Sequence, residues 1–164
     1  MSFSEIAAKR AKAEQGKTAE KAVRKVLEKY SAAVASFIFE RSYDARSAGG
    51  KFQRVAGDFR FYSPAGHGLL EVKEMKHDVR LPYKNYELSR VAGARKHQLA
   101  GGHVIVLVFS STLDGWREVP FDFFRERDPA KPSGSWDLSE FGVRAQLAPV
   151  LNVLLRPHLK GYEA

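Results

Sequence analysis

The sequence predicts one α/β domain in which helices flank a mixed β-sheet, with the elements in the order αβββαβ. Three observations lead to this fold class. Residues 19–30 carry apolar side chains at helical spacing, and residues 34–74 contain short apolar and aromatic runs separated by turn residues. Residues 104–109 form a wholly apolar run behind a second helical segment. A chain of 164 residues is long enough to bury the core of one such domain.

The N-terminal segment, residues 3–30, is predicted to be helical, in two pieces that meet near Gly16. In the second piece, apolar residues recur every three or four positions and form a stripe: Ala19, Ala22, Val23, Val26, Leu27 and Tyr30. Glu20 falls at the edge of this stripe, so its carboxylate is expected where the helix meets the core. Residues 1–15 are expected to form a flexible basic arm.

Three strands are expected next, at residues 34–41, 55–62 and 67–74. The second and third form a hairpin, because the sequence Ser63-Pro64-Ala65-Gly66 between them is typical of a tight turn. Residues 76–85 are polar and are interpreted as a mobile loop.

The second half of the chain begins with a predicted helix at residues 86–99, which Gly101 and Gly102 end. The strand at 104–109 is apolar on both faces, so it is expected in the interior of the sheet. A short strand at 116–119 and a short helix at 121–127 follow. Residues 128–135 form a candidate linker and residues 147–159 a closing helix. We expect residues 128–164 to pack on the core of a single domain that covers residues 1–164.

Charge and cysteine content narrow the functional class. The chain has 27 Lys and Arg against 19 Asp and Glu, a net charge of +8, which favours a polyanionic partner such as nucleic acid. It has no cysteine, which excludes disulfides, thiolate metal sites and cysteine nucleophiles, and fits a reducing compartment. No segment approaches the roughly 18 apolar residues needed to span a bilayer, and no secretory signal follows the basic N-terminus. We therefore expect a cytoplasmic protein with no membrane partner.

The residues that can carry chemistry are concentrated in the predicted hairpin. Glu71-Val72-Lys73 lies in its second strand and Asp58 in its first, with twelve residues between Asp58 and Glu71. Because side chains alternate along a strand, Glu71 and Lys73 point to one face, and Leu70 and Val72 to the other. Asp58 is then expected to join Glu71 and Lys73 from the neighbouring strand.

Two carboxylates in one site repel each other unless a cation neutralises them. Carboxylate oxygens suit Mg²⁺ or Mn²⁺, which need few protein ligands and could polarise a phosphodiester and activate water. Lys73 can orient that water and stabilise the transition state, and Glu20 can add a carboxylate from the first helix. A Glu-x-Lys pair alone is more often a solvated charge pair. Here Asp58, the turn and the net charge together favour a nuclease site.

Two groups of basic side chains are candidates for phosphate contacts. The loop group follows the Glu71 strand and comprises Lys76, Arg80 and Lys84. The helix group comprises Arg90, Arg95 and Lys96, and a solvated helix face explains it equally well. We favour the loop group for DNA because it directly follows the strand that carries Glu71 and Lys73.

The pattern Asp58-x(12)-Glu71-Val72-Lys73, between a leading helix and a following helix–strand unit, resembles the PD-(D/E)xK nuclease superfamily over residues 16–110. Within that superfamily the sequence is most similar to Holliday junction resolvases of the RecU type. Three local stretches carry this similarity: Gly16-Lys17-Thr18-Ala19-Glu20, then Glu71-Val72-Lys73-Glu74-Met75-Lys76, and finally Leu81-Pro82-Tyr83-Lys84-Asn85 with the later Gly101-Gly102.

The resemblance implies a restriction-endonuclease-like core. It implies that Asp58, Glu71 and the carbonyl oxygen of Val72 bind the metal, that Lys73 is the catalytic lysine, and that Glu20 helps to hold the metal site. It further implies Mg²⁺ as the cofactor, with Mn²⁺ as a substitute, and a homodimer that cuts branched DNA by two symmetric incisions. Such an enzyme would serve DNA recombination or repair on intracellular DNA, encoded by a bacterium or a phage.

The sequence departs from the family in three places, one of which is that the family's glutamine at the start of the second helix has no clear match. Gly57 stands where the superfamily motif has proline. The segment after the first strand is short, so the projecting stalk of RecU-type proteins would be absent or reduced to residues 46–54, which leaves junction specificity open. Two alternatives therefore stand beside the resolvase hypothesis. One is an exonuclease or sequence-specific endonuclease of the same superfamily, and the other is a non-catalytic DNA-binding module that has retained the fold.

Overall fold

The computed structural model describes residues 3–42 and 56–162, with side chains from residue 18 onward. The α-helices are α1 (Phe3–Ala33), α2 (Leu88–Leu99) and α3 (Leu147–Leu155). The strands are β1 (Ile38–Arg41), β2 (Phe59–Ser63), β3 (Gly66–Met75), β4 (Arg80–Pro82), β5 (His103–Ser110), β6 (Gly115–Pro120) and β7 (Ser135–Asp137). Short 3₁₀ helices lie at Tyr83–Asn85, Phe121–Arg125 and Arg156–His158. Within the described residues, no helix is both long enough and apolar enough to cross a membrane.

The main sheet of the described chain is mixed, with the strand order β1-β2-β3-β5-β6. Strands β3 and β5 are parallel, whereas the other neighbours are antiparallel. A parallel pair requires a crossover connection, and α2 lies within it. Ser63 pairs with Gly66 across the turn between β2 and β3, which confirms the predicted hairpin. The interior position predicted for the apolar strand is also confirmed, since β5 lies between β3 and β6.

The sheet separates two apolar layers, and β3 contributes to both. Leu70 and Val72 pack in the layer that contains α1 and α3, whereas Leu69 and Met75 pack in the layer that contains α2. Alternation along the strand therefore directs the intervening residues Glu71 and Lys73 towards α2. The apolar residues of β3 therefore determine the face of the sheet on which Glu71 and Lys73 lie.

The first helix is continuous through residue 16, so the predicted break near Gly16 is wrong. A glycine in a helix interior costs only about 1 kcal/mol relative to alanine, and the Ala, Lys and Glu residues around it are strong helix formers. The apolar stripe is confirmed, and four of its members are buried against the sheet: Ala19, Val23, Leu27 and Tyr30. The side chains of the predicted basic arm and the predicted stalk remnant at residues 46–54 lie outside the described residues.

Residues 76–85, interpreted from the sequence as a mobile loop, instead contain β4, which pairs antiparallel with β7. Leu81 lies opposite Trp136 in this small sheet, and both side chains are buried. The partner strand is about 55 residues away in sequence, so no local pattern indicated the pairing. The candidate linker at 128–135 leads directly into β7 and therefore connects parts of the same domain.

Several predicted boundaries shift for local reasons. Strand β1 begins at Ile38 and not at residue 34, because residues 34–37 form a turn in which the Phe37 N–H donates to the Val34 carbonyl oxygen at 2.9 Å. Helix α2 begins at Leu88, two residues later than predicted, after a 3₁₀ turn. The closing helix ends at Leu155 and continues as a 3₁₀ turn to His158.

A row of three polar side chains ties the end of the chain to the main sheet. Ser63 Oγ lies 2.8 Å from His158 Nδ1, and His158 Nε2 lies 2.9 Å from His103 Nδ1. The bond between the two imidazoles requires one unprotonated nitrogen as its acceptor. Burial, and then the neighbouring His103, lower the pKa of His158. This row is therefore sensitive to pH.

Lowering the pH from 7.5 to 5 should destabilise the wild-type protein relative to a His158→Gln variant. Because the folded-state pKa of His158 lies below its unfolded value of about 6.5, the unfolded chain takes up the proton first as the pH falls. The unfolding free energy from urea denaturation at each pH measures this. A His77→Gln variant, changed at an exposed histidine, should follow the wild type. Equal pH dependence of the wild type and His158→Gln would contradict the prediction.

Candidate active site

Asp58 is fixed to β3 by its backbone and by its side chain. Its N–H donates to the Leu70 carbonyl oxygen at 2.9 Å, and its Oδ2 accepts from the Val72 N–H at 2.7 Å. The preceding residue, Gly57, has a φ of +79°, and a Cβ at that position would lie 3.2 Å from Leu69 Cβ. Proline, whose φ is held near −65°, cannot adopt this conformation. The glycine before Asp58 is thus required by the turn that delivers the carboxylate.

Glu71 and Lys73 project from β3 into the apolar layer beneath α2. Their side chains are 1% and 9% exposed. Lys73 Nζ forms an ion pair with Glu71 Oε1 and lies 4.9 Å from the centre of the Tyr86 ring. A cation over an aromatic face is stabilised by the negative charge of that face. Lys73 is therefore held in one position between a carboxylate and an aromatic ring.

Arg90 joins this group from the first turn of α2. Its Nη2 lies 2.7 Å from Asp58 Oδ1 and 3.0 and 3.1 Å from the two carboxylate oxygens of Glu71. These are charge-assisted contacts, which are stronger than neutral hydrogen bonds. Asp58 and Glu71 bring two negative charges, and Lys73 and Arg90 bring two positive charges. With all four side chains ionised, the cluster carries no net charge in the folded structure.

The pKa directions in this cluster follow from burial and from the neighbouring charges. Burial, and then the charge of Asp58, raise the pKa of Glu71 against the opposing effect of Lys73 and Arg90. Burial alone would lower the pKa of Arg90, but Glu71 and Asp58 outweigh it and raise that pKa. Burial also raises the pKa of Tyr86. The raised pKa of Arg90 favours its charged form beside the two acids, whereas burial of Glu71 favours the protonated form of that carboxyl.

Glu20 lies on α1 and has a different partner. Its Oε2 is 2.8 Å from Arg41 Nη2, and its side chain is about a quarter exposed, at 27%. Burial, and then the charge of Asp58, raise the pKa of Glu20, so the two acids are near enough to interact electrostatically. Among the described contacts, however, Glu20 bonds to Arg41 and to neither Asp58 nor Glu71.

A groove of about 400 Å³ runs from Lys73 to the protein surface. Its lining includes two acidic residues, Glu20 and Glu74, and two basic residues, Lys76 and Lys84. Both of these outer lysines are exposed. Burial raises the pKa of Glu74, whose side chain faces the α1 side of β3. The groove thus joins the buried lysine to a basic rim.

The other predicted DNA contacts are spread over the surface. Arg80 is exposed and lies 3.5 Å from a carboxylate oxygen of Asp137 across the small sheet. Arg95 and Lys96 are exposed on the second half of α2. Arg90, grouped with them from the sequence, instead contacts the two buried acids. Whether any of these residues binds DNA remains a prediction.

The carboxylate pair fits a hard divalent cation that takes few protein ligands. In the part of the chain that the structure describes, no three Asp, Glu, His or Cys side chains converge as metal ligands. Asp58 and Glu71 supply two carboxylates, and Glu71 Oε1 is buried without an aligned hydrogen bond from any described residue, although two cations lie beside it. Mg²⁺ is commonly bound by one or two carboxylates with water in the remaining positions. The carbonyl oxygen of Val72 is a third candidate ligand on the same strand.

The sequence did not indicate Tyr86, Arg41 or the true position of Arg90. Each comes from an element far from the hairpin in sequence, so strand alternation gave no information about it. One signal was available for Arg90: Val91 and Ala94 form the buried face of α2, and Arg90 immediately precedes that face. A residue there lies at the boundary between the sheet and solvent.

Hjc of Archaeoglobus fulgidus, a Holliday junction resolvase from an archaeal hyperthermophile, has a similar solved structure. The sequences are 17% identical, the TM-score is 0.50, and the match covers 79% of this chain and 98% of that chain. No protein-family model matches the sequence, and no curated protein matches it significantly. The similarity establishes the fold, which is restriction-endonuclease-like, as predicted from the sequence. The described site is a carboxylate–lysine cluster on the central strand of that fold.

Two substitutions of Tyr86 should show how much its ring and its hydroxyl each contribute to the free energy of unfolding. The hydroxyl is buried without a hydrogen-bond partner among the described residues. Tyr86→Phe keeps the ring over Lys73 and should change the free energy of unfolding by less than about 1 kcal/mol. Tyr86→Ala removes the ring from the apolar layer and should cost about 3–5 kcal/mol. Chemical denaturation measures both. A loss in Tyr86→Phe as large as in Tyr86→Ala would show that the hydroxyl is the stabilising group.

Proposed function

We propose that this protein is a Mg²⁺-dependent endodeoxyribonuclease that hydrolyses phosphodiester bonds in branched DNA, in the manner of a Holliday junction resolvase. The observation that supports this most directly is the convergence of Asp58, Glu71 and Lys73 at one place on a restriction-endonuclease-like fold. The similarity to a solved resolvase and the net charge of +8 are consistent with it.

We propose a role for each of these residues in the reaction. Asp58 and Glu71 would hold Mg²⁺ with the carbonyl oxygen of Val72. When bound, the ion supplies the positive charge that polarises the phosphodiester and favours ionisation of the attacking water. Lys73, fixed by Glu71 and by an aromatic ring, would orient that water and stabilise charge developing on the phosphate. Glu20 would act through its charge from the α1 side of the site.

DNA would approach along the groove that opens from Lys73. Lys76 and Lys84 on its rim are exposed and free to neutralise phosphates. Arg80, Arg95 and Lys96 would extend the contact surface beyond the groove. Arg90 could reach a phosphate only after its guanidinium leaves the two carboxylates. The substrate proposed here is therefore bound mainly through its backbone.

The proposed substrate also determines the oligomeric state that we propose. A four-way junction is resolved by two symmetric incisions, so two active sites must act together, and we propose a homodimer. The biological setting proposed is recombination or repair of intracellular DNA, in a bacterium or a phage. Exonucleases and sequence-specific endonucleases could use the same cluster on other DNA substrates.

One observation favours a second candidate function, a non-catalytic DNA-binding module. Lys73 and Arg90 already neutralise Asp58 and Glu71 without a metal, so the cluster is stable as a purely structural group. Such a module would bind DNA equally well with and without Mg²⁺ and would not cut it. The two candidates therefore differ in a directly measurable way.

Cleavage of a labelled DNA panel should distinguish these functions. The panel contains a four-way junction, a flap, a linear duplex and a single strand, each with Mg²⁺, Mn²⁺ or EDTA. The wild type should nick the junction symmetrically with either metal and be inactive in EDTA. Lys73→Met keeps the apolar stem but removes the ammonium, and should lose at least about a hundredfold in rate. Lys160→Ala, at an exposed lysine beyond α3, serves as the matched control.

The other outcomes lead to different conclusions. Ladders that begin at DNA ends would indicate an exonuclease, and a single preferred sequence in the duplex would indicate a sequence-specific endonuclease. Tight, salt-sensitive binding without cleavage in any metal would exclude the nuclease and leave the binding module. Because the side chain of Lys73 is buried, circular dichroism must also show that the Lys73→Met variant is folded.

The groove lysines should be detectable through the salt dependence of DNA binding. If Lys76 and Lys84 each neutralise one phosphate, the double variant Lys76→Ala/Lys84→Ala should lower the slope of log affinity against log salt by about two. Fluorescence anisotropy in EDTA measures this without cleavage. Lys160→Ala should keep the wild-type slope. An unchanged slope in the double variant would exclude the groove rim as a phosphate-binding surface.

A further inference from the structure

One atom of Arg90 lies where a cation bound by both carboxylates would lie. Its Nη2 contacts three oxygens of two different acids: Asp58 Oδ1 at 2.7 Å, and Glu71 Oε1 and Oε2 at 3.0 and 3.1 Å. Several carboxylate oxygens around one positive centre is the arrangement that divalent cations require. The protein therefore fills this position with a group of its own.

A metal ion and this nitrogen exclude each other. Mg²⁺ binds oxygen at about 2.0–2.1 Å in a near-octahedral shell. An ion bound between Asp58 and Glu71 on the side that Arg90 occupies would overlap Nη2, which lies 2.7 Å from Asp58 Oδ1 and 3.1 Å from Glu71 Oε2. Occupation of the pair by a metal thus requires the guanidinium to withdraw.

The net charge of the cluster also indicates that Arg90 withdraws when a metal ion binds. The cluster is neutral with Asp58 and Glu71 opposite Lys73 and Arg90. A dication added to it would leave two uncompensated positive charges in a space where Glu71 is 1% exposed. Uncompensated charge at such depth is strongly unfavourable. Departure of Arg90 halves this excess, and Arg90 is the more exposed of the two cations.

The contacts of Arg90 allow its guanidinium to move away from the two acids. Its side chain is 26% exposed, compared with 9% for Lys73, so part of it already borders solvent. Its Nε is buried without a hydrogen-bond partner among the described residues, and its hydrogen bonds to the acids are made through Nη2 alone. Rotation of the side chain therefore breaks the contacts of a single nitrogen, Nη2.

From these observations we propose that Arg90 is a resident counter-ion of the carboxylate pair, which a divalent cation must displace, so that Arg90 sets the metal affinity of the site. The proposal deepens the nuclease function and depends on it in one respect, that the site takes a metal. It makes Arg90 a positioning residue for Asp58 and Glu71 while the metal is absent, and a competitor of the metal when it arrives.

Isothermal titration of metal-free protein with MnCl₂ tests the exchange without measuring activity. Arg90→Gln removes the competing charge and should bind Mn²⁺ at least about tenfold more tightly than the wild type. Arg156→Gln removes the same charge from an exposed position that follows α3 and should bind Mn²⁺ as the wild type does. Asp58→Asn combined with Arg90→Gln should abolish the tight binding, which would locate the ion at the carboxylates.

Thermal unfolding provides a second readout of the same exchange. In EDTA, Arg90→Gln should melt at a lower temperature than the wild type, because two buried acids then face Lys73 alone. Saturating Mn²⁺ should raise its melting temperature by more than it raises that of the wild type. Should Arg90→Gln fail to fold, Arg90→Lys retains the charge on a shorter, more strongly hydrated group that leaves the site more readily. That variant is then expected to bind Mn²⁺ more tightly than the wild type.

The failures of this proposal and of the nuclease function are distinguishable. If the wild type binds Mn²⁺ and cuts DNA but the Arg90 variant that folds binds Mn²⁺ no more tightly, the displacement is wrong and the function stands. If neither protein binds Mn²⁺ at millimolar concentration, both are overturned, and Arg90 is a permanent partner of the two acids.

Discussion

Two carboxylates that share a space with almost no water must be neutralised, and the neutralisation of Asp58 and Glu71 determines how the centre of this protein is built. An isolated buried charge costs several kcal/mol even after relaxation. Lys73 lies against Glu71 from the same strand, and Arg90 reaches both acids from the helix packed over them. The result is a cluster without net charge. Removal of either cation would leave part of the repulsion between Asp58 and Glu71 uncompensated.

The sheet provides the rigidity that such a cluster requires. Strand β3 is bonded on both sides, to β2 and β5, so its residues cannot shift register. Asp58 is joined to this strand by two hydrogen bonds, one from its backbone and one to its carboxylate. The apolar residues of β3 pack into both layers of the core and hold the strand at the depth that keeps water from Glu71. A catalytic role for the cluster would depend on this fixed geometry.

Much of the fold could be predicted because its determinants are local. The stripe on α1, the turn after Ser63 and the alternation around Glu71 each lie within a few residues, and each was confirmed. The pairing of β4 with β7 and the contact of Arg90 with two strands depend on residues far apart in sequence, and no short pattern encodes them. The continuity of α1 through Gly16 was missed for another reason: the weak preference of one residue is overridden by its neighbours. The roles of Glu20 and the basic residues remain predictions, because exposure and charge alone do not distinguish a ligand contact from a solvated side chain.

The parallel pairing of β3 with β5 has a consequence for the order in which the molecule forms. The pairing of β2 with β3 is local in sequence and can form early, whereas the parallel pairing of β3 with β5 must wait for the crossover through α2. In the early hairpin the two acids are surrounded by water, where their repulsion is weak. The helix that later excludes this water carries Arg90 in its first turn. Docking of α2 therefore excludes water from Asp58 and Glu71 and brings the positive charge of Arg90 to them in the same step. The chain thus avoids a folding intermediate in which the two acids are buried without Arg90.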